Sequence, residues 1–265
     1  MDRTSIVILN AITSLLTGIG IVSCKEQTTI EETSRKKVEK PAWMSSDTNE
    51  WPQIVLTNKA DFNGHSSLNG ASGFLAQNSR GEIFYATAAH LLGVNGGVQP
   101  ELTESKLDSV LVSWVAYPRT RNESTLLITG VAGTPSNDPD NDWALLKVEQ
   151  SNTDLPAKPL RLRRKQVRIG ETVHLIGVPY SEPNETQNVY SGVVTARGYG
   201  DRFRFNIDPP VDIRGFSGAP IVDESGLVVG VMTVWFDPKM NGSNFLEAGG
   251  EDAASIFKRI ESAKP

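Results

Sequence analysis

Arg214-Gly215-Phe216-Ser217-Gly218-Ala219-Pro220 sets a serine between glycines, and the apolar pair Ile221-Val222 follows at once. Glycine allows tight turns and close backbone approach that other residues resist. The heptapeptide therefore reads as a turn presenting a hydroxyl beside bare main chain. Outward from it, short runs rich in Val, Ile, Tyr, Phe and Trp alternate with clusters of Gly, Asn, Asp and Pro. That pattern predicts strands over 71–76, 83–86, 107–116, 125–131 and 143–148, then over 172–178, 189–196, 203–207, 219–222 and 227–234. One helix is expected over 251–263, where Ala253, Ile256, Phe257 and Ile260 share a face. Two strand groups and a closing helix suit an all-β chain of two packed barrels.

Two further blocks carry chemistry. Thr87-Ala88-Ala89-His90 follows an apolar strand, and Asp142-Trp143-Ala144-Leu145-Leu146 opens another. A serine hydroxyl is a poor nucleophile until a base takes its proton, and histidine titrates in the range that suits this task. A carboxylate then fixes the histidine tautomer and stabilises the imidazolium formed during attack. Asp140 is the nearest rival to Asp142, but the strand residues continue directly from Asp142. Chain order narrows the scaffold. The α/β-hydrolase order needs a histidine after the serine, and no histidine follows His174. The subtilisin order needs an aspartate before the histidine, which Asp61 supplies, yet the residues around Ser217 do not resemble that family.

Together the three blocks resemble the signatures of the trypsin-like (chymotrypsin-fold) serine proteases. Ser72-Gly73-Phe74 and Ser191-Gly192-Val193-Val194 add a likeness to the bacterial HtrA (Deg) branch. The resemblance spans roughly residues 65 to 235. It implies two six-stranded antiparallel β-barrels with a short C-terminal helix, and a serine endopeptidase acting on protein or peptide substrates without a cofactor. Carried over, Ser217 is the nucleophile, His90 the general base and acid, and Asp142 the orienting carboxylate. Backbone N–H groups of Gly215 and Ser217 form the oxyanion hole. Val211, with Asp212 beside it, takes the pocket floor, and Thr233, Val234 and Trp235 the wall. A tryptophan at 235 makes that pocket shallow and favours small or aliphatic residues.

The chain also departs from the family. Phe216 replaces the acid that pairs with a new N-terminus in digestive zymogens, Leu91 replaces a cysteine, and Ala219 replaces a glycine. The stretch after Ser217 suffices for the last strands and a helix, so no peptide-binding PDZ module is expected. A catalytically silent protease fold used as a tethered binding module, and an esterase on the same barrels, remain open alternatives at this level.

Composition excludes other classes. An apolar content of 38% permits a sizeable core, and a net charge of −5 argues against a nucleic-acid partner. The one dense basic run, Arg161, Arg163, Arg164, Lys165 and Arg168, reads as a solvated connection. With one cysteine and three histidines, no metal-ligand spacing occurs and no internal disulfide can form. His65 and His174 read as structural.

Residues 1–23 resemble a secretory signal: Arg3, an apolar middle, then Ile21-Val22-Ser23 before Cys24. That ending resembles a bacterial lipobox and implies lipidation of Cys24. Lys25 after it, in place of Asp, implies the outer membrane by resemblance to Gram-negative lipoproteins, so the expected location is the cell envelope, lipid-anchored and facing the periplasm or exterior. Residues 24–52 are polar and aperiodic, which predicts a flexible tether ahead of a protease domain over 53–265.

Overall fold

The computed structural model describes residues 40–121, 123–136, 141–149, 155–198, 200–236 and 246–265. The expected signal, Cys24, the expected tether up to residue 39, and Asp140 lie outside them. Residues 40–52, assigned to the tether by composition, form two 3-10 turns, Ala42–Met44 and Thr48–Glu50. Met44 and Trp51 are buried there, and the Trp43 and Trp51 rings meet edge-on at 4.9 Å. Aromatic burial outweighs the polar character of the neighbouring residues, so the ordered body begins before residue 53.

Thirteen strands are described. The first barrel is built from β1 (Val55–Phe62), β2 (Leu68–Gln77), β3 (Ile83–Ala88), β4 (Leu111–Tyr117), β5 (Leu126–Val131) and β6 (Trp143–Val148). Their order is β1-β4-β5-β6-β3-β2, and β1 pairs back onto β2 to close it. The short β7 (Leu160–Arg161) adds to β2 in parallel. The second barrel comprises β8 (Thr172–Gly177), β9 (Asn188–Arg197), β10 (Arg202–Ile207), β11 (Pro220–Asp223), β12 (Val228–Phe236) and β13 (Leu246–Asp252). It closes in the order β10-β13-β12-β11-β8-β9. The fold is thus two closed six-stranded antiparallel barrels and a C-terminal helix, as the resemblance implies.

Residues 107–110, expected as strand, instead form one helical turn, α1 (Leu107–Val110). Leu107 is buried, and the Asp108 carboxylate accepts the Val131 N–H at 2.7 Å, a tertiary bond that overrides β propensity. The C-terminal helix, α2, runs Ala253–Ser262. It starts two residues later than its periodicity suggests, because the Asp252 side chain caps it by accepting the Ala254 N–H.

Three apolar clusters explain why strands such as β3 and β6 are nearly continuous apolar runs. Leu146 and Val148 of β6 enter the first-barrel core, whereas Trp143 and Leu145 point the other way. There they meet Phe74, Phe84, Ile176, Val222 and Val231, together with Ile256 and Ile260 of α2. This middle cluster joins the barrels. Fully burying one such Phe, Leu or Ile is worth roughly 1.5–3 kcal/mol, so the barrels are locked together and the seam between them is fixed. The second barrel is filled by Phe203, Phe205, Phe216 and Met232.

Candidate active site

The seam carries the three chemistry-bearing blocks. In the β3–β6 ladder, Thr87 pairs with Ala144 and Ala88 with Trp143. This register puts His90, just past the end of β3, across from Asp142, just before β6. His90 sits in a 3-10 turn, Ala89–Leu92, pinned by Leu91 and Leu92 in the first-barrel core. Asp142 holds that turn at three points. Its carbonyl accepts the Ala89 N–H at 2.9 Å, and Oδ1 accepts the His90 N–H at 2.8 Å. Oδ2 lies 2.7 Å from His90 Nδ1, with both side chains 18% exposed. A carboxylate only accepts, so in the neutral imidazole the proton is on Nδ1 and the lone pair on Nε2.

The serine turn is held by neutral main-chain bonds. Gly215 has φ 106° and Gly218 φ 87°, conformations that side-chain-bearing residues rarely adopt. A Cβ at Gly218 would collide with the Ser72 carbonyl and Thr87 Oγ1 and stand 3.0 Å from the Ala88 nitrogen. The turn therefore lies against the end of β3, beside the His90 turn. Ser72 of the first barrel grips it twice: its N–H donates to the Ser217 carbonyl at 2.9 Å, and its hydroxyl to the Gly215 carbonyl at 2.7 Å. Among the described residues, the Ser217 hydroxyl makes no hydrogen bond. Such contacts often tighten only when substrate binds.

The amides of Gly215 and Ser217 are aimed by the far sides of their own peptide planes. In a trans peptide the C=O and N–H point in opposite directions. The Arg214 carbonyl accepts the Tyr180 N–H at 2.9 Å, which turns the Gly215 N–H away from Tyr180. The Phe216 carbonyl accepts the Ala219 N–H at 2.7 Å, which likewise turns the Ser217 N–H away from Ala219. Neither amide donates a hydrogen bond among the described residues. Tyr180 adds a second hold: its hydroxyl accepts the N–H of Ala71 at 2.6 Å. Ala71 has φ 56° and lies at the register shift between β1 and β2, the strained spot that delivers Ser72 to the turn.

Phe216 and Ala219, the departures flanking the serine, do not obstruct the cleft. Both are fully buried in the second-barrel core, and the Phe216 ring meets Tyr190 edge-on at 5.5 Å. Val211 is half-buried against the same core. Asp212 is engaged by Arg214, with Nη2 at 2.6 Å, and this hydrogen bond holds its carboxyl below the usual range. Thr233 is half-buried and Val234 is 38% exposed, both on β12 next to Met232, whose N–H and C=O bind the serine turn. The main chain of Trp235 pairs with Ala248; its side chain lies outside the described part.

The other histidines stand apart. His65 Nδ1 is 2.6 Å from the Pro100 carbonyl on the surface, and His174 Nδ1 is 2.8 Å from Ser191 Oγ. Burial lowers the His174 pKa. In the basic run, Arg163 pairs with Glu171 at 2.7 Å and Asp223 at 3.2 Å, which ties that connection to the second barrel. No three His, Cys, Asp or Glu side chains gather as metal ligands among the described residues. Tyr180 and Glu251 carry no local signature in the sequence, and Ser72 carries only a family one; their roles arise from contacts distant in the chain.

The double barrel and its cleft define a chymotrypsin-type protease scaffold. The family model described as "Trypsin-like peptidase domain" matches residues 71–231, and the chain belongs to that family. Protease Do-like 5, chloroplastic, of Arabidopsis thaliana is 34% identical over 113 residues, 40% of this chain and 33% of that protein. The Sinorhizobium fredii protein y4bJ is 41% identical over 103 residues, 38% of this chain and 15% of that protein. The chain thus spans a third or less of these curated relatives. In fold it is similar to the active form of the Rv3671c protease of M. tuberculosis, with a TM-score of 0.51 at 17% identity, covering 80% of this chain and 82% of that one. The HtrA-type protease AlgW gives a TM-score of 0.51 at 21% identity, covering 84% and 64%. The chain thus carries a trypsin-like peptidase domain whose fold is similar to those of these proteases.

Proposed function

We propose that the chain is a serine endopeptidase in which Ser217 attacks the scissile carbonyl, His90 serves as general base and then acid, and Asp142 orients the imidazole. The observation that carries this reading is the 2.7 Å His90–Asp142 contact beside a serine turn whose Gly215 and Ser217 amides donate no hydrogen bond among the described residues. The Ser217 proton moves to His90 Nε2 as Oγ bonds to the carbonyl carbon. The carbonyl oxygen, now anionic, takes the N–H groups of Gly215 and Ser217, each worth roughly 3 kcal/mol of barrier. Collapse breaks the C–N bond, and His90 returns the proton to the leaving amine. Water then repeats the sequence on the acyl-enzyme and frees Ser217.

Burial of Phe216 orders the turn through packing, where a zymogen uses an ion pair with a new N-terminus. The enzyme accordingly needs no cut within the domain to become active. Small or aliphatic side chains are its preferred residues before the scissile bond. Lipidation at Cys24 would tether it to the cell envelope, outer membrane favoured, where misfolded or incoming proteins are its substrates.

A fluorophosphonate probe tests the chemistry: it should label the full chain and spare Ser217→Ala. Absence of labelling, or equal labelling of both, would overturn the assignment. A peptide library then reads specificity, and rapid cleavage after arginine sinks the aliphatic preference. Ester turnover without peptide cleavage would redefine the enzyme as an esterase. Mass spectrometry of the mature N-terminus checks the anchor.

A further inference from the structure

One buried carboxyl group at the site has no part in the steps above. Glu251, in β13 of the second barrel, is 2% exposed. Its Oε2 accepts the main-chain N–H of Asp142 in a short hydrogen bond across the seam, and Oε1 accepts the Ser255 hydroxyl of α2 at 3.1 Å. The polar atoms of Asp142 are then all engaged. His90 and Ala89 bond its carboxylate and carbonyl, and Glu251 takes its amide. The first barrel thus fixes three corners of Asp142 and the second barrel the fourth.

A carboxyl in this place costs the fold something. Burial pushes it up to about 7; the charge of Asp142 adds to the rise, while the Asp142 amide, the Ser255 hydroxyl and Arg202 oppose it. Among the described residues, the charged groups facing it are Asp142 before β6 and Arg202 on β10, whereas β12 offers Val231 and α2 offers Ser255. A neutral amide would satisfy the same two partners: its oxygen takes the Asp142 N–H, and its nitrogen donates to Ser255 Oγ. Hydrogen bonding therefore does not require an ionisable group here, which leaves charge as what glutamate adds.

We propose that Glu251 is a positioning residue for the triad: ionised, it clamps the Asp142 amide and sets a second negative charge behind the carboxylate that faces the His90 imidazolium. This rests on the serine endopeptidase reading. Proton transfer from Ser217 creates positive charge on the imidazole, and negative charge behind Asp142 favours that step in a site of low polarisability. Protonated Glu251 and a glutamine carry no such charge and should behave alike.

The test follows fluorophosphonate inactivation and peptide hydrolysis by the full chain, with Glu251→Gln and Glu251→Ala beside the wild type. Glu251→Gln should stay within about twofold of wild type near pH ~5.5 and fall about five- to tenfold behind near pH ~8.5, with the loss in kcat and not KM. Glu251→Ala, which leaves the Asp142 amide unbonded, should be slower at both ends. A Glu251→Gln variant that stays within about twofold of wild type near pH ~8.5 as well overturns the proposal and leaves the endopeptidase reading intact. A wild type that is never labelled overturns both.

Discussion

The His90–Asp142 corner and the Ser217 turn lie side by side, yet different forces hold them. At the corner, a carboxylate takes N–H groups from His90, and a second carboxyl group takes the amide of Asp142. At the turn, every hold described is neutral: Ser72 on two carbonyls, Tyr180 on the Arg214 carbonyl, Met232 on Gly218 and Ala219. Charge-assisted bonds are strong and answer to pH, whereas main-chain geometry answers to shape. The corner should therefore fail when charge changes, and the turn when volume or φ changes. Substitutions that keep shape and remove charge, or the reverse, tell the two apart.

Removing charge at the corner should have an effect second only to loss of the Ser217 nucleophile itself. Asp142→Asn keeps the volume but offers Nδ1 a donor or a weaker acceptor, and kcat should drop by about 10^4-fold. Ser217→Ala should lose at least as much, about 10^4- to 10^6-fold. Both proteins should melt close to the wild type. A Asp142→Asn variant within tenfold of wild type in kcat would place the carboxylate elsewhere. Changing shape at the turn comes next. Gly218→Ala sets a Cβ into the Ser72 carbonyl at a φ of 87°. A displacement of about 1 Å costs about 10^2-fold, so activity should fall by about that much at every pH, with a lowered melting temperature. A pH-dependent loss would contradict the division between the two regions.

Ser72→Ala and Tyr180→Phe are milder probes of the turn, because each deletes a single hydrogen bond and keeps the main chain. Removing the Ser72 hydroxyl frees the Gly215 carbonyl, and a hydrogen bond of this kind is worth about 1 kcal/mol. Rates should fall about tenfold or less. Tyr180→Phe leaves the strained Ala71 amide without its acceptor and should reduce stability more than Ser72→Ala does. If neither variant slows acylation measurably, the amides are held by the glycine conformations alone.

The same division governs what the sequence makes legible. His90, Asp142 and Ser217 stand out because each is embedded in a short block of local chemistry. The strands left out of the sequence reading are β1 and β13, which close the two barrels, and the short β7. In β1, Asn58 breaks the alternation by standing on the face of Leu56, Ala60 and Phe62; it is buried because the Tyr85 hydroxyl and Trp114 indole both donate to its Oδ1, at 2.7 and 3.1 Å. In β13, Gly249-Gly250 reads as a helix lead-in, but both glycines pair in ladders with β10 and β12. Glu251 was hidden for the same reason, since its partner Asp142 lies in the other barrel. Ser72 was visible as a family signature, but its grip on the turn needs the register shift at Ala71. Local patterning exposes residues whose neighbours in sequence define them, and misses those defined across the seam.

Glu251 also gives the corner a cost that stability measurements can read, and this is the smallest effect expected. Its folded pKa of about 7 stands above the ordinary 4.5. A raised carboxyl pKa contributes stability that is fully present below the unfolded value and is lost as pH rises through the folded one. From this group, wild-type stability should therefore decline across the window from about 4.5 to about 7 and level off above it. Glu251→Gln, neutral throughout, lacks that decline. On a Ser217→Ala background, which prevents self-cleavage, the two proteins should melt together near pH ~4.5, and the glutamine variant should gain a few degrees by pH ~8. Parallel melting curves over the whole window would mean that the carboxyl group titrates at its ordinary value. The second negative charge would then stand behind Asp142 at every working pH, and the activity ratio in the kinetic test would have to be flat. A gain in stability together with a loss of rate at alkaline pH would mark Glu251 as a residue retained at the expense of the fold, on the side of the site where charge matters.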